Sequence, residues 1–173
     1  LFKKVSVVPD GKNHGLLMFV DWSGSMHNEL LPTIKQLFNI VQFCKKVNIP
    51  FEVYSFVENR ASEGYYGGKQ YSKCSGKNNT IAVNDCFHLV QFFDSQSKTK
   101  LDVQMDAVWM LTKMTQDNFI HGVDGMGVYE MGGTPLNETV IALHSILPQF
   151  QKQHKLEKVN CVILTDGEGS TLT

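Results

Sequence analysis

Leu16 to Val20 form an uninterrupted apolar run between Gly15 and Asp21. A short run bounded in this way predicts a strand buried on both faces. From His27 to Val47, apolar residues recur at Leu30, Leu31, Ile34, Leu37, Phe38, Val41 and Cys44. That spacing predicts an amphipathic helix, with Pro32 tolerated because it falls near the first turn. Asn48-Ile49-Pro50 stops the helix, and Phe51 to Val57 alternates as a second strand. Strand, helix and strand together predict a βαβ unit, hence a parallel pair joined by a right-handed crossover.

The pattern changes after this unit. Residues 58–85 are rich in Gly, Ser, Asn, Lys and Tyr, a surface excursion longer than ordinary connections. Phe87 to Phe93 reads as a third strand, at an edge of the sheet. Leu101 to Met114 has helical apolar spacing, and Gly122 to Gly133 is a Gly- and Met-rich loop. Thr134 then reads as an N-cap, with Pro135 at the first helical position of a helix running to about Gln153. Val159 to Leu164, apolar except at Asn160, reads as a second buried strand, followed by Thr165-Asp166-Gly167. Val5 to Val8, before Pro9-Asp10-Gly11, reads as a further strand and turn.

Composition narrows the class. The 173 residues fit one domain with a sizeable core, at 42% hydrophobic and 19% charged. A formal net charge of −1 gives no argument for nucleic acid or an anionic membrane as partner. No apolar stretch approaches the roughly 18–20 residues a transmembrane helix needs. Cys44, Cys74, Cys86 and Cys161 lack the spacing of a secreted disulfide framework, and Cys44 and Cys161 fall where reduced core thiols are usual. The expected location is therefore cytoplasmic. The start Leu-Phe-Lys-Lys lacks Met and any signal-peptide pattern, as expected of a piece of a longer protein.

The candidate chemistry lies at strand ends. Asp21, Ser23 and Ser25 sit at alternate positions on the turn leaving the first strand. One carboxylate and two hydroxyls suit a hard divalent cation such as Mg²⁺, which takes oxygen ligands and few carboxylates. Gly132-Gly133-Thr134-Pro135 opens a helix, and Asp166 ends another strand. In a parallel α/β sheet, ligands bind at the carboxyl ends of strands, where helix N-termini also point their amides. All three segments are expected at that edge.

With Asp21-Trp22-Ser23-Gly24-Ser25, Gly133-Thr134-Pro135 and Thr165-Asp166-Gly167 in this order, the chain resembles the von Willebrand factor type A (vWA) domain and its metal-ion-dependent adhesion site. The resemblance covers about Leu16 to Asp166. It implies a Rossmann-like three-layer α/β/α fold with a mainly parallel sheet over residues 1–173, an insertion at about 58–85, and the family's last helices and strands absent. It implies Mg²⁺, with Mn²⁺ as substitute, held directly by the Ser23 and Ser25 hydroxyls. Asp21, Thr134 and Asp166 would ligate directly or through water, and one open position would take an acidic side chain from a protein partner.

Within that family, GKNHGLLMFVDWSGSMHNELLPTIKQL and NIPFEVYSF are similar to the type A domain of the cobaltochelatase accessory subunit and to homologues in large tailed bacteriophages. This implies partnership with a ring-forming AAA+ ATPase, in a bacterial or phage-infected cell. No G-x-x-x-x-G-K-[ST] loop occurs in the chain, so the ATPase would be a separate subunit.

Several features have plainer readings. Cys74, Cys86 and His88 are suitable zinc donors at irregular spacing, and free thiols near a loop base are the simpler expectation. Tyr65, Tyr66 and Tyr71 among glycines fit a recognition loop or a flexible insertion. Met105, Met110, Met114, Met126 and Met131 are expected to pack core and loop. His27 is expected to be incidental to the site, and Glu168 to face solvent. The rival function is a serine or metal-dependent hydrolase using Ser23 or Ser25 with His27. The chain lacks a G-x-S-x-G elbow and an evident His–Asp pair, so the domain alone is not expected to be catalytic.

Overall fold

The apolar run at Leu16 to Val20 lies within β1 (His14–Asp21), where Leu17, Met18, Phe19 and Val20 are all fully buried. Burial on both faces requires cover on both sides, and the helices provide it. The computed structural model describes residues 13–58, 86–120, 123 and 126–167. After β1 come a short 3-10 helix (Gly24–Asn28), α1 (Leu30–Val47), β2 (Phe51–Glu58) and β3 (Phe87–Asp94). Then follow α2 (Leu101–Gln116), a 3-10 turn (Gly127–Tyr129), α3 (Leu136–His154) and β4 (Lys158–Leu164).

The four strands lie in the order β3-β2-β1-β4. β1 pairs in parallel with β2 (Leu16 opposite Phe51) and with β4 (Leu16 opposite Asn160). The β2–β3 pair is antiparallel, with Glu52 opposite Asp94 and a bulge between Val53 and Tyr54. The sheet is therefore mixed, with two parallel pairings and one antiparallel pairing among the described strands. Strand direction depends on the connection rather than on the apolar pattern of the strand. The connection from β2 to β3 lies in residues 59–85, outside the described residues.

Alternation along the central strands feeds two cores. Met18, Val20 and Trp22 project with Val53 and Val57 into a cluster completed by Leu30, Ile34, Leu37 and Val41 of α1 and Val108 of α2. Leu17, Phe19 and Phe56 project the other way, against Phe150 and Leu156, with Leu136, Leu143 and Ile146 of α3 packed around them. Each fully buried Leu, Ile or Val side chain contributes about 1.5–3 kcal/mol to such a core. The result is a three-layer α/β arrangement with α1 and α2 on one face and α3 on the other.

Local signals explain the boundaries. Asn48 closes α1 at φ 57°, ψ 36°, a left-handed conformation that Asn adopts more readily than most residues. Ile49 N–H then returns to Cys44 O at 2.9 Å. α1 starts at Leu30 rather than His27 because the 3-10 helix occupies the preceding residues. Pro32 consequently sits in the first turn, where its missing N–H costs nothing.

β4 differs from expectation in its surroundings. It pairs with β1 along its length, yet Cys161 is exposed and Val162 is 37% exposed. The expected core thiol at Cys161 is thus a surface one, because β4 is the outer strand of the sheet among the described residues. No helix among the described residues is long and apolar enough to cross a membrane. The Val5–Val8 strand, Cys74, the tyrosines at 65, 66 and 71, and Glu168 lie outside the described residues.

Candidate metal centre

Asp21 is the last residue of β1 and is fully buried. A buried carboxylate requires hydrogen bonds to remain ionised at tolerable cost. Its Oδ1 accepts the Ser23 N–H at 2.8 Å and its Oδ2 accepts the Thr165 hydroxyl at 2.7 Å. Both donors are neutral, and each carboxylate oxygen retains a second lone pair. Asp21 therefore ties the end of β1 to its own turn and to the segment leaving β4.

A second chain of contacts runs through the hydroxyls. Ser25 Oγ donates to Asp166 Oδ1 at 2.9 Å. Ser23 Oγ and Ser25 Oγ are 3.0 Å apart. A serine hydroxyl has one hydrogen, and Ser25 gives its own to Asp166, so Ser23 donates to Ser25. The path from Ser23 through Ser25 to Asp166 spans 141 residues of sequence in its last step. Asp21 and Ser23 are buried, whereas Ser25 and Asp166 are exposed, so the cluster reaches from the core to solvent.

The third segment is fixed by backbone. Gly24 N–H donates to Gly132 O at 2.8 Å, within a parallel bridge between Ser23 and Gly132. Gly133 makes a reciprocal antiparallel bridge with Glu58 at the end of β2, at 2.7 and 3.2 Å. A Cβ on Gly133 would lie 3.3 Å from Glu58 Oε2, a close approach that the end of the Glu58 side chain would have to yield to. Residues 132–133 thus bridge the carboxyl ends of β1 and β2 and hold Thr134 beside the Ser23 turn.

Thr134 does not cap α3, contrary to expectation. The helix starts at Leu136 with Pro135 in the cap position, and there is no side-chain cap bond. Pro135 has φ −82° and ψ 60°, and Leu136 N–H bonds back to Thr134 O at 2.9 Å. This is an inverse γ-turn, which swings Thr134 off the helix and leaves its hydroxyl without a hydrogen bond among the described residues. Thr139, one turn in, instead returns its hydroxyl to Pro135 O at 2.9 Å.

The structure thus links four of the five expected donors, Asp21, Ser23, Ser25 and Asp166, through hydrogen bonds, whereas Thr134 makes no hydrogen bond to them and follows Gly133, the residue bridged to Glu58. Two residues not singled out as donors help to build the site. Thr165 supplies the second bond to Asp21. Trp22 is 1% exposed and donates Nε1–H to Tyr129 O at 2.8 Å, with its ring edge-on to Phe92. It anchors the 126–131 segment beneath the serines. A large amphipathic residue inside a Ser/Gly turn was the available signal, since buried Trp N–H groups usually find acceptors.

The donor set is chemically selective. It comprises two carboxylates and three hydroxyls, which suits Mg²⁺ or Mn²⁺ and not Zn²⁺, whose sites favour His and Cys. Among the described residues, no three His, Cys, Asp or Glu side chains gather as a metal cluster. That includes Cys86, which is buried, and His88. His27 is half-buried and lines a recess of about 640 Å³ beside Gly24, with Thr115, Asn118, Ile120, Glu130 and Met131. The recess abuts the serine turn and offers both polar and apolar walls.

The fold and cluster define an α/β protein with an oxygen-rich site at the carboxyl ends of β1 and β4. Comparison of the chain with protein-family models, with curated proteins and with solved structures finds no match.

Proposed function

We propose that the chain is a Mg²⁺-dependent protein-interaction module of the vWA type, which docks an acidic residue of a partner on the metal. The observation that carries this reading is the path Ser23–Ser25–Asp166, which joins hydroxyl and carboxylate oxygens from two strand ends at the surface. Ser23, Ser25, Asp21, Thr134 and Asp166 would hold the ion. When bound, a cation with few carboxylate ligands supplies a positive charge that an incoming Asp or Glu can neutralise. The rest of the chain positions these oxygens: β1 and β4 set their separation, and the Gly132–Gly133 bridges fix the third loop.

The finer reading places the module in a chelatase-like assembly with an AAA+ ATPase. It rests on the resemblance of the Gly11–Leu37 and Asn48–Phe56 segments alone. The hydrolase reading has less support. Ser25 gives its hydrogen to a carboxylate that is itself exposed, and among the described residues no histidine is hydrogen-bonded to either serine.

The test is calorimetric titration of Mg²⁺ and Mn²⁺ into the chain and into Asp21→Ala, followed by capture of acidic-peptide ligands with and without EDTA. The expected result is saturable metal binding, lost in Asp21→Ala, and peptide capture that requires the metal. Peptide capture that persists in EDTA and in Asp21→Ala overturns the metal-bridged mechanism.

A further inference from the structure

A second polar site lies at the opposite end of β2. Glu52 is 7% exposed, and among the described residues it has no cationic partner. Its Oε2 accepts the Tyr54 hydroxyl at 2.7 Å, and Tyr54 in turn accepts from Gln91 Nε2 at 3.3 Å. Its other oxygen makes no hydrogen bond to a described residue. A largely buried carboxylate with a single neutral protein donor has acceptor capacity left for a cation that reaches it.

The surroundings add a second carboxylate. Glu52 lies directly opposite Asp94 across the antiparallel β2–β3 pair, so the two carboxylates share one face of the sheet. Like charges in this position destabilise a sheet. One Asp94 oxygen accepts the Gln96 N–H at 2.7 Å in the turn after β3, which does not neutralise it. The bulge at Val53/Tyr54 pairs Tyr54 with Gln91 and lets Phe92 and Phe93 both join the opposite core. Gln91 is thereby placed beside Tyr54.

These groups line a cavity of about 300 Å³ between the β2–β3 edge and α3, with Ile146 and Phe150 forming its apolar wall. The size falls at the lower end of the range for ligand pockets. Burial first, then the hydrogen bond and charge of Glu52, push the Tyr54 phenol well above its ordinary range.

We propose that this cavity binds a guanidinium group, with Glu52 and Asp94 as its counter-charges and Ile146 and Phe150 against the alkyl stem. A guanidinium has five donors in a planar fork and is weakly hydrated, so it suits a mainly polar recess with carboxylates and amides to accept its N–H groups and a small apolar wall for its stem better than a strongly hydrated ammonium. Two sources share this chemistry: an arginine side chain of a protein partner, and a small guanidino compound.

Agmatine, the peptide acetyl-Gly-Arg-Gly-amide and its neutral citrulline counterpart are titrated into the full chain, followed by heteronuclear NMR. The expected result is saturable binding of agmatine, the Arg peptide or both, with shifts at Tyr54, Gln91 and Phe150, and at least about tenfold weaker binding of the citrulline peptide. Tighter binding of the peptide assigns the cavity to a partner's arginine, and tighter binding of agmatine to a small compound. Glu52→Gln is expected to weaken binding about tenfold or more, and Asp94→Asn to weaken it less; Asp94→Asn remains informative if Glu52→Gln does not fold. Asp21→Ala is expected to leave it unchanged. Absence of binding by both guanidinium probes, or equal binding of the Arg and citrulline peptides, overturns the proposal.

Discussion

Thr165 Oγ1 donates to Asp21 Oδ2 at 2.7 Å, joining the residue that ends β1 to the one that follows β4. Asp21 is fully buried, so removing this donor leaves a carboxylate oxygen short of a partner. Thr165→Val keeps the shape and deletes the hydroxyl. The expected cost is about 1–3 kcal/mol, read as a lower urea midpoint in metal-free buffer. A midpoint unchanged from the parent would show that the bond contributes nothing to folding.

The hydroxyl path makes a different demand. Ser25 is exposed and spends its hydrogen on Asp166, so Ser25→Ala should leave the fold nearly unaltered. Its expected effect is on the ion: Mn²⁺ affinity falls by about tenfold or more, measured by electron paramagnetic resonance of free Mn²⁺, while the thermal midpoint without metal moves little. Loss of stability without loss of affinity would make Ser25 a structural link only.

Gly15 offers a packing test far from the metal centre. A Cβ there would approach Phe150 Cε1 to 2.7 Å and would also collide with the Leu156 side chain. Both neighbours belong to the core on the α3 face. Gly15→Ala is expected to destabilise by about 1–3 kcal/mol through overpacking, seen by chemical denaturation. A stabilised Gly15→Ala variant would mean that Leu156 moves aside freely.

Alkaline pH bears on Tyr54. Its folded-state pKa is raised, first by burial and then by the hydrogen bond and charge of Glu52. A group whose folded pKa lies above its unfolded value contributes stability that is complete below the unfolded value, about 10 for tyrosine, and fades as pH rises towards the folded value. Urea midpoints measured from pH 8 to pH 11 should therefore fall, and Tyr54→Phe should flatten the part of that fall above about pH 10. A Tyr54→Phe curve parallel to the parent's would assign the loss to other groups.

Thiol accessibility separates the cysteines. Cys161 is exposed on β4, whereas Cys44 and Cys86 are buried. Burial raises the pKa of Cys44, and partial cover of the sulfur raises that of Cys161 although the residue as a whole is exposed. Iodoacetamide followed by peptide mass spectrometry should label Cys161 before Cys44 and Cys86, at a rate that climbs as pH rises past the ordinary thiol range. Early labelling of Cys44 would indicate local opening at the end of α1.

Much of this architecture is visible in the residue pattern, for physical reasons. The run Leu16 to Val20 has no polar face to offer solvent, so it could only be central, and it is. Asn48-Ile49-Pro50 ends α1 because a left-handed Asn and a proline ahead cannot continue a helix. The cluster of Asp21, Ser23 and Ser25 was legible because its members are local. Asp166 was legible only by its position after a strand, since its bond to Ser25 is a tertiary contact.

What escaped the pattern depends on partners distant in sequence. The antiparallel direction of β3 is set by a connection, and the exposure of Cys161 by which strand ends the sheet among the described residues. Thr134 looked like a cap because Thr-Pro often begins a helix, but the γ-turn at Pro135 displaced it by one position. The Glu52–Asp94 juxtaposition is a register effect. Neither residue announces it alone.

The bridges at Gly132 and Gly133 carry one more consequence. They hold the third loop through main-chain atoms, to Ser23 and Gly24 on one side and Glu58 on the other. Where a donor stands is thus governed separately from what that donor is. Side chains at Thr134 and Ser25 can therefore be exchanged for others of similar size while the main-chain cradle stays in place, so the chemistry this edge presents can drift without the fold having to be reinvented.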